Sequence, residues 1–392
     1  MITRRMAARG AELHRAIPMD WTTLGDALRA AFVRRSPTLR RVQYFAGFGA
    51  LFTALRSTAE VGRLVDDLVY REYRNQQVRA PVFIFANARS GTTLLHRLMS
   101  LDEESFAPYK LYQSIFPAVS LDRLFQTVKR LDELSGSPVS RLQHWIEDTF
   151  MGGWEGIHNM GLDREEEDES LFVYTMDAPG VMLLLPWIDE LPRAFWLDRT
   201  EAEHRRRVMD YYEDSLKRHL FAVGGDRRFI NKNAFFAGRL RSVFEKFPDG
   251  QFIYLVRHPY EVVPSVLSMF SVPWSAHSPE IRKDGPEMRA LAQLAVDYYR
   301  YALEARAEIP PEQFLLLKYD ELVADPRGAI EKVYDHLGLE MTDAYRRRLE
   351  EATAEQRSYQ SKHAYSLEEY GLSRDFVYEQ LRDIFDELGF TP

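Results

Sequence analysis

The chain has 392 residues, 45% hydrophobic and 13% aromatic, with a formal net charge of −8 at pH 7. That size and apolar content suit one large α/β domain with a filled core, or two ordinary ones. The negative balance argues against non-specific nucleic-acid binding, and the absence of cysteine rules out disulfides, thiolate metal sites and a cysteine nucleophile.

The first ten residues carry arginines with no apolar run behind them, unlike a secretory signal. No apolar run approaches the ~20 residues of a membrane span, so a soluble cytoplasmic protein is expected. Residues 1–80 read as an N-terminal helical extension. Within them Trp21–Val33 and Val61–Tyr73 carry apolar residues at three- and four-residue spacing. Between these, Phe45–Phe52 is apolar all round. A buried helix, a partner surface and a shallow membrane contact are all open for it. The neighbouring Arg34, Arg35, Arg40 and Arg41 keep a peripheral membrane contact through residues 1–80 among the expectations.

The stretch 81–99 organises the remainder. Val82–Phe85 is a short apolar strand, Asn87–Gly91 a small polar turn, and Leu94, Leu95, Leu98 and Met99 recur at helical spacing. A buried strand, a tight loop and a helix start make an anion cradle. Arg89, the hydroxyls of Ser90, Thr92 and Thr93, and the first N–H groups of the helix converge there, with Gly91 in the turn. It is not a Walker A loop, because no lysine follows Gly91.

Residues 103–150 read as mainly helical. A glycine-rich, irregular stretch, 152–162, holds His158 and runs into an acidic segment, Asp163–Ser170. That segment is either a solvated first helical turn or part of a site. Residues 199–222 form an amphipathic helix. A strand from Arg228 ends near Lys232, and ligands of open α/β sheets collect at such ends. Gln251–Val256 is a further strand, with Arg257 at its carboxyl end and Pro259 opening a helix that carries Ser265. An arginine there and a hydroxyl two turns on can grip one phosphate from two sides. Residues 271–288 read as a Pro-, Ser- and His-rich lid loop, Phe314–Lys318 as another strand, and Gly338 as the stop of a helix from Pro326. Alternating strands and helices predict an α/β fold of P-loop-like, three-layer type over 81–392, with a central parallel sheet.

The two grips together resemble the sulfotransferases that use 3′-phosphoadenosine 5′-phosphosulfate (PAPS), in particular their bacterial branch. Ala88-Arg-Ser-Gly-Thr-Thr is similar to the family's 5′-phosphosulfate loop, and Leu255-Val-Arg-His-Pro with Ser265 to its 3′-phosphate motif. The segment from Ser361 to Leu372 resembles one that closes over the nucleotide. The resemblance implies that Arg89, Ser90, Gly91, Thr92 and Thr93 hold the phosphosulfate, and that Arg257 and Ser265 hold the 3′-phosphate. It implies Lys232 as the catalytic lysine, 3′,5′-ADP as product and no metal. The acceptor would be a small molecule, lipid or carbohydrate bearing a hydroxyl or amine.

One departure concerns the base. Many members have a histidine two or three residues after the lysine, where this chain has Ala234 and Phe235. His158 and Glu167 are the candidates in its place, with His96 a weaker third that also reads as helix packing. A small-molecule kinase of P-loop type, or a non-catalytic nucleotide-binding protein on the same scaffold, are the alternatives.

Overall fold

The computed structural model describes residues 15–137, 161–356 and 366–392. Among the described residues, short segments form one five-stranded sheet: β1 (Val82–Phe85), β2 (Phe106–Pro108), β3 (Arg228–Asn233), β4 (Gln251–Val256) and β5 (Phe314–Lys318). All pairings are parallel, in the order β2-β3-β1-β4-β5. The longer helices are α1 (Trp21–Phe32), α2 (Leu39–Val69), α3 (Thr92–Ser100), α4 (Val119–Leu134), α5 (Ala202–Val223), α6 (Pro259–His277), α7 (Pro286–Arg306), α8 (Pro326–Leu337), α9 (Asp343–Gln356) and α10 (Arg374–Leu388).

The sheet is covered on both faces, which is why β1 and β4 read as continuous apolar runs. One face is aromatic: Phe83, Phe85, Phe229, Phe252, Tyr254 and Phe314 pack with Phe236 and Phe247. The other is aliphatic: Val82, Ile84, Ile230, Ile253 and Leu255 meet Leu95, Leu98 and Met99 of α3 and Ile330 and Val333 of α8. The central strand β1 lies between β3 and β4, so the loop after it opens at the carboxyl ends of three adjacent strands.

Two expectations change, and a third, left open, narrows. β2 falls where helix was expected; it is three residues long and ends in Pro108, and as an edge strand it tolerates a proline without losing a central ladder bond. The lid expected at 271–288 is helical as far as His277, because α6 continues through Pro264 and Pro273. Tertiary packing holds it there: Phe270, Trp274 and His277 are buried, and Trp274 Nε1 donates to the Met182 carbonyl at 2.6 Å.

The third concerns α2, a single helix of 31 residues, about 46 Å long. Its carboxyl half is fastened by buried ion pairs, Arg218 to Asp66 (2.8 Å) and Asp67 (3.0 Å), and Arg63 to Asp214 (2.7 Å). Its amino half is not a buried helix. Arg41, Phe45, Phe52, Leu55 and Arg56 turn inward, while Val42, Tyr44, Phe48 and Leu51 are exposed. Ile17, Ala27, Ala30, Ala31 and Ala59 join the same core as the aromatic face of the sheet. Asp20 caps α1 by accepting from Thr22 N (3.1 Å) and pairs with Arg193 (2.7 Å). Among the described residues, no helix is long and apolar enough to cross a membrane.

Candidate active site

The loop after β1 is bent by two residues in the left-handed region, Arg89 at φ 72° and Gly91 at φ 87°. Only glycine adopts that conformation without cost, and an arginine held there marks a functional constraint. Asn87 Nδ2 anchors the loop by donating to the Ala295 carbonyl of α7 at 3.0 Å. A Cβ on Gly91 would lie 2.7 Å from the Tyr319 ring. Ser90 Oγ is buried with no hydrogen-bond partner among the described residues, as a hydroxyl reserved for a ligand would be. These observations fit an anion seated on the first turn of α3. Gly91→Ala should therefore cost about 1–2 kcal/mol of stability and weaken 3′,5′-ADP at least tenfold, read by thermal melts and calorimetric titration.

The second grip touches the first. Arg257 leaves the end of β4, and its Nη1 donates to the Arg89 carbonyl at 2.9 Å. Its guanidinium lies 4.3 Å from the centre of the Tyr319 ring, and its own carbonyl accepts from Tyr299 Oη at 2.6 Å. On its other side it is paired with Glu261 at 2.6 Å, one helical turn along. Ser265 is buried two turns into α6, among Val262, Val263 and Val266.

Lys232 is fully buried and paired in register with Ile84 of β1. Its Nζ reaches Glu167 at 3.1 Å and Glu166 at 3.4 Å. Burial alone would depress this ammonium, but Glu167 and Glu166 outweigh burial and hold it above the usual lysine range. An ammonium has three N–H donors. Two serve these carboxylates, which leaves one for a ligand.

The acidic segment is therefore not a solvated helical turn. Glu166 N donates to the Tyr109 carbonyl (2.9 Å) beside β2. Asn233, next to Lys232 in sequence, donates one amide to both Asp168 (2.8 Å) and Glu169 (3.0 Å). Arg239 closes on Glu169 at 2.7 Å and stacks on Phe172 at 3.8 Å. Burial pushes Asp168 and Glu169 up, and Arg239 and Asn233 partly offset it. This clamp fixes residues 166–169 against the end of β3 and so presents Glu166 and Glu167 to the lysine.

His158 lies outside the described residues, as do residues 361–365 of the segment expected to close over the nucleotide. His96 is buried in α3 with neither ring nitrogen bonded among the described residues. Burial first, then the charge of Lys232, pushes it down to about 3, so it packs as a neutral ring. The unfolded chain binds a proton at His96 below about pH 6.5 and the folded chain does not, so this residue removes stability as pH falls from 6.5 towards 3. His96→Leu should abolish that loss, gaining about 2 kcal/mol over the parent at about pH 5 relative to neutral pH; urea melts at both pH values check it.

Glu261 and Asn233 were not singled out by sequence; Glu166 lay within the acidic segment and Tyr319 directly after the strand Phe314–Lys318, neither with a role assigned. Glu261 carried the best signal, four residues after Arg257 on a helix. A separate polar cavity of about 350 Å³, lined by Tyr73, Arg74, Asp210, Asp214 and Lys246 among others, includes none of the site residues.

The sequence profile described as the sulfotransferase family matches residues 81–343. The omega-hydroxy-beta-dihydromenaquinone-9 sulfotransferase Stf3 of Mycobacterium bovis is 28% identical over 357 residues, which cover 88% of this chain and 84% of that protein. Among solved structures, sulfotransferase STF1 from Mycobacterium tuberculosis superposes with a TM-score of 0.66 at 22% identity, covering 92% of this chain and 91% of that one. STF9 from Mycobacterium avium gives 0.68 at 17% identity, covering 96% and 98%. These two likenesses concern the fold.

Proposed function

The chain belongs to the sulfotransferase family and is a PAPS-dependent sulfotransferase; on that premise we propose the residues that carry the reaction. The loop of Arg89, Ser90, Gly91, Thr92 and Thr93 holds the phosphosulfate, and Arg257 with Ser265 holds the 3′-phosphate. Lys232 stabilises the leaving oxygen, and Glu167, with Glu166 beside it, takes the acceptor's proton. The observation that carries this reading is the Lys232 ammonium held by two carboxylates at the carboxyl edge of the sheet.

PAPS supplies the sulfuryl group and, as 3′,5′-ADP, the leaving group. The acceptor oxygen or nitrogen bonds to sulfur, the bond from sulfur to the bridging oxygen breaks, and its electron pair stays on the 5′-phosphate. The acceptor's proton goes to the Glu167 carboxylate. Lys232 uses its third N–H on the bridging oxygen as charge gathers there. Arg89 and the amino end of α3 act on the same charge, so the protein supplies position and preorganised donors rather than a covalent intermediate.

For the acceptor we read a hydroxylated lipid, by likeness to the Mycobacterium bovis relative named for a dihydromenaquinone. A peripheral contact between residues 1–80 and a bilayer belongs to that reading, since such an acceptor has to be collected from a membrane. The test titrates the full-length protein with 3′,5′-ADP and 5′-AMP. Binding of 3′,5′-ADP more than tenfold tighter is expected; equal affinities would remove the role given to Arg257 and Ser265.

A further inference from the structure

The uncovered face of α2 departs from ordinary surface. Residues 42–55 contain no charged side chain. Val42, Tyr44, Phe48 and Leu51 nevertheless stand exposed there, Leu51 by 54%. Among the described residues nothing lies within 4 Å of where a Cβ on Gly47 or Gly49 would be, so no other described part of the fold approaches them. Val33 and Leu39 are exposed at the corner before α2, and Trp21 is 73% exposed at the start of α1. Apolar side chains are also exposed on the carboxyl half of α2 (Val61, Leu64, Leu68) and on α4 (Leu124, Leu131, Leu134), but charged residues lie between them there; the uncharged stretch 42–55 is the one that reads as an apolar contact surface.

Charge identifies the occupant. The first 41 residues hold nine arginines against three acidic residues, in a chain of net charge −8. Arg34, Arg35 and Arg40 stand at the corner, where Glu190 pairs with both Arg34 and Arg35 at 2.7 Å and leaves a positive excess. A second copy packed two-fold about this face would set like charges against each other. An anionic bilayer offers an apolar layer beneath a negative surface, which matches both halves of the pattern.

We infer that the amino half of α2 and the 33–41 corner seat the enzyme on an anionic phospholipid bilayer, an inference that rests on the lipid-acceptor reading above. Tyr44 and Trp21 are the side chains suited to headgroup level. One segment joins this seat to the reaction site. The Tyr44 ring lies 6.0 Å from His277, whose Nε2 bonds the Leu183 carbonyl at 3.0 Å. Leu183 and Val272 are themselves exposed and extend the apolar surface. Gly180, three residues before Leu183, donates to Glu169 at 2.8 Å, and Asn233 holds Glu169 beside Lys232. The apolar face of α2 and the carboxylates beside the lysine are thus tied to one segment, residues 180–183.

The test is flotation of the full-length protein with vesicles of phosphatidylcholine alone and of phosphatidylcholine with phosphatidylglycerol. The parent should float with the anionic vesicles and bind neutral ones about tenfold more weakly. Leu51→Glu and Phe48→Glu should stay in the dense fractions with either vesicle. Arg34→Glu with Arg40→Glu should bring anionic binding down to the neutral level. All variants should keep the parent's thermal shift with 3′,5′-ADP, which reports an intact fold and donor site. A parent that does not float, or a Leu51→Glu variant that floats like it, overturns the inference. So does a parent dimer that Leu51→Glu dissociates without any vesicle binding, which would assign the face to a second copy. Flotation in a protein that fails to bind 3′,5′-ADP would support the seat and count against the donor assignment instead.

Discussion

Lys232→Met is expected to lower kcat by about 10²–10³-fold while leaving affinity for 3′,5′-ADP largely unchanged. In the proposed mechanism the ammonium acts when negative charge collects on the bridging oxygen, so its removal should fall on the transition state rather than on binding. Methionine keeps the length of the buried stem, which limits cavity effects. It also strands Glu166 and Glu167 beside a site that has lost its cation. Breaking a buried pair from one side costs about 3–5 kcal/mol at full burial, and less here because Glu167 is partly open, with 18% of its side chain exposed. A lower melting temperature should therefore accompany the kinetic loss. The double variant Lys232→Met with Glu166→Gln separates the two effects: stability should return, and turnover should not. Single-turnover transfer from PAPS measures the chemical step. A Lys232→Met enzyme with parental kcat would remove the lysine from the mechanism.

Arg257→Ala carries the second large effect, and it should appear in binding. A charge-assisted hydrogen bond to a phosphate contributes about 1.5–3 kcal/mol. The affinity for 3′,5′-ADP should fall about tenfold to a hundredfold, while that for 5′-AMP changes far less. The ratio of the two constants is the diagnostic, because a general disturbance of the loop would weaken both nucleotides alike. Some disturbance is expected, since Arg257 Nη1 also holds the Arg89 carbonyl. Arg257→Lys restores the charge but not the planar fork, and should recover only part of the discrimination. An unchanged ratio measured by calorimetry would mean that another group reads the 3′-phosphate.

The pairing of Arg257 with Glu261 bears on how the donor binds. In the proposed site a 3′-phosphate would draw the guanidinium away from the Glu261 carboxylate, and an exposed ion pair of this kind is a weak competitor. Stacking on Tyr319 keeps the guanidinium near the loop meanwhile. The same ring makes glycine necessary at position 91, so one aromatic side chain shapes both grips.

The strand, loop and helices that carry the proposed donor site were legible in the sequence because their signals are local. A strand, a bent polar loop and a helix start occupy consecutive residues from Val82 to Met99. Arg257 and Ser265 are separated by an interval that a helix fixes by itself. The strands β1, β4 and β5 announced themselves as apolar runs, since a parallel sheet is buried on both faces, and β3 as a short segment after the Gly224-Gly225-Asp226 turn. β2 did not, because an edge strand of three residues ending in proline carries almost no periodic signal.

What only the tertiary structure decided are the contacts across long chain separations and the cover over apolar surface. Sequence nominated Lys232 and Glu167 separately, with no means of knowing that they meet 65 residues apart. The register of β3 on β1 and the Asn233 clamp bring them together, and neither can be read from neighbouring residues. The continuation of α6 through Pro273 is likewise a product of packing, where buried Phe270 and Trp274 outweigh a local helix breaker. For α2 the apolar run told that the helix wants a partner, but an amphipathic or wholly apolar pattern reports only the need for burial. Whether other elements of the same chain satisfy that need depends on where they fold, and here they leave Val42, Tyr44, Phe48 and Leu51 facing outward.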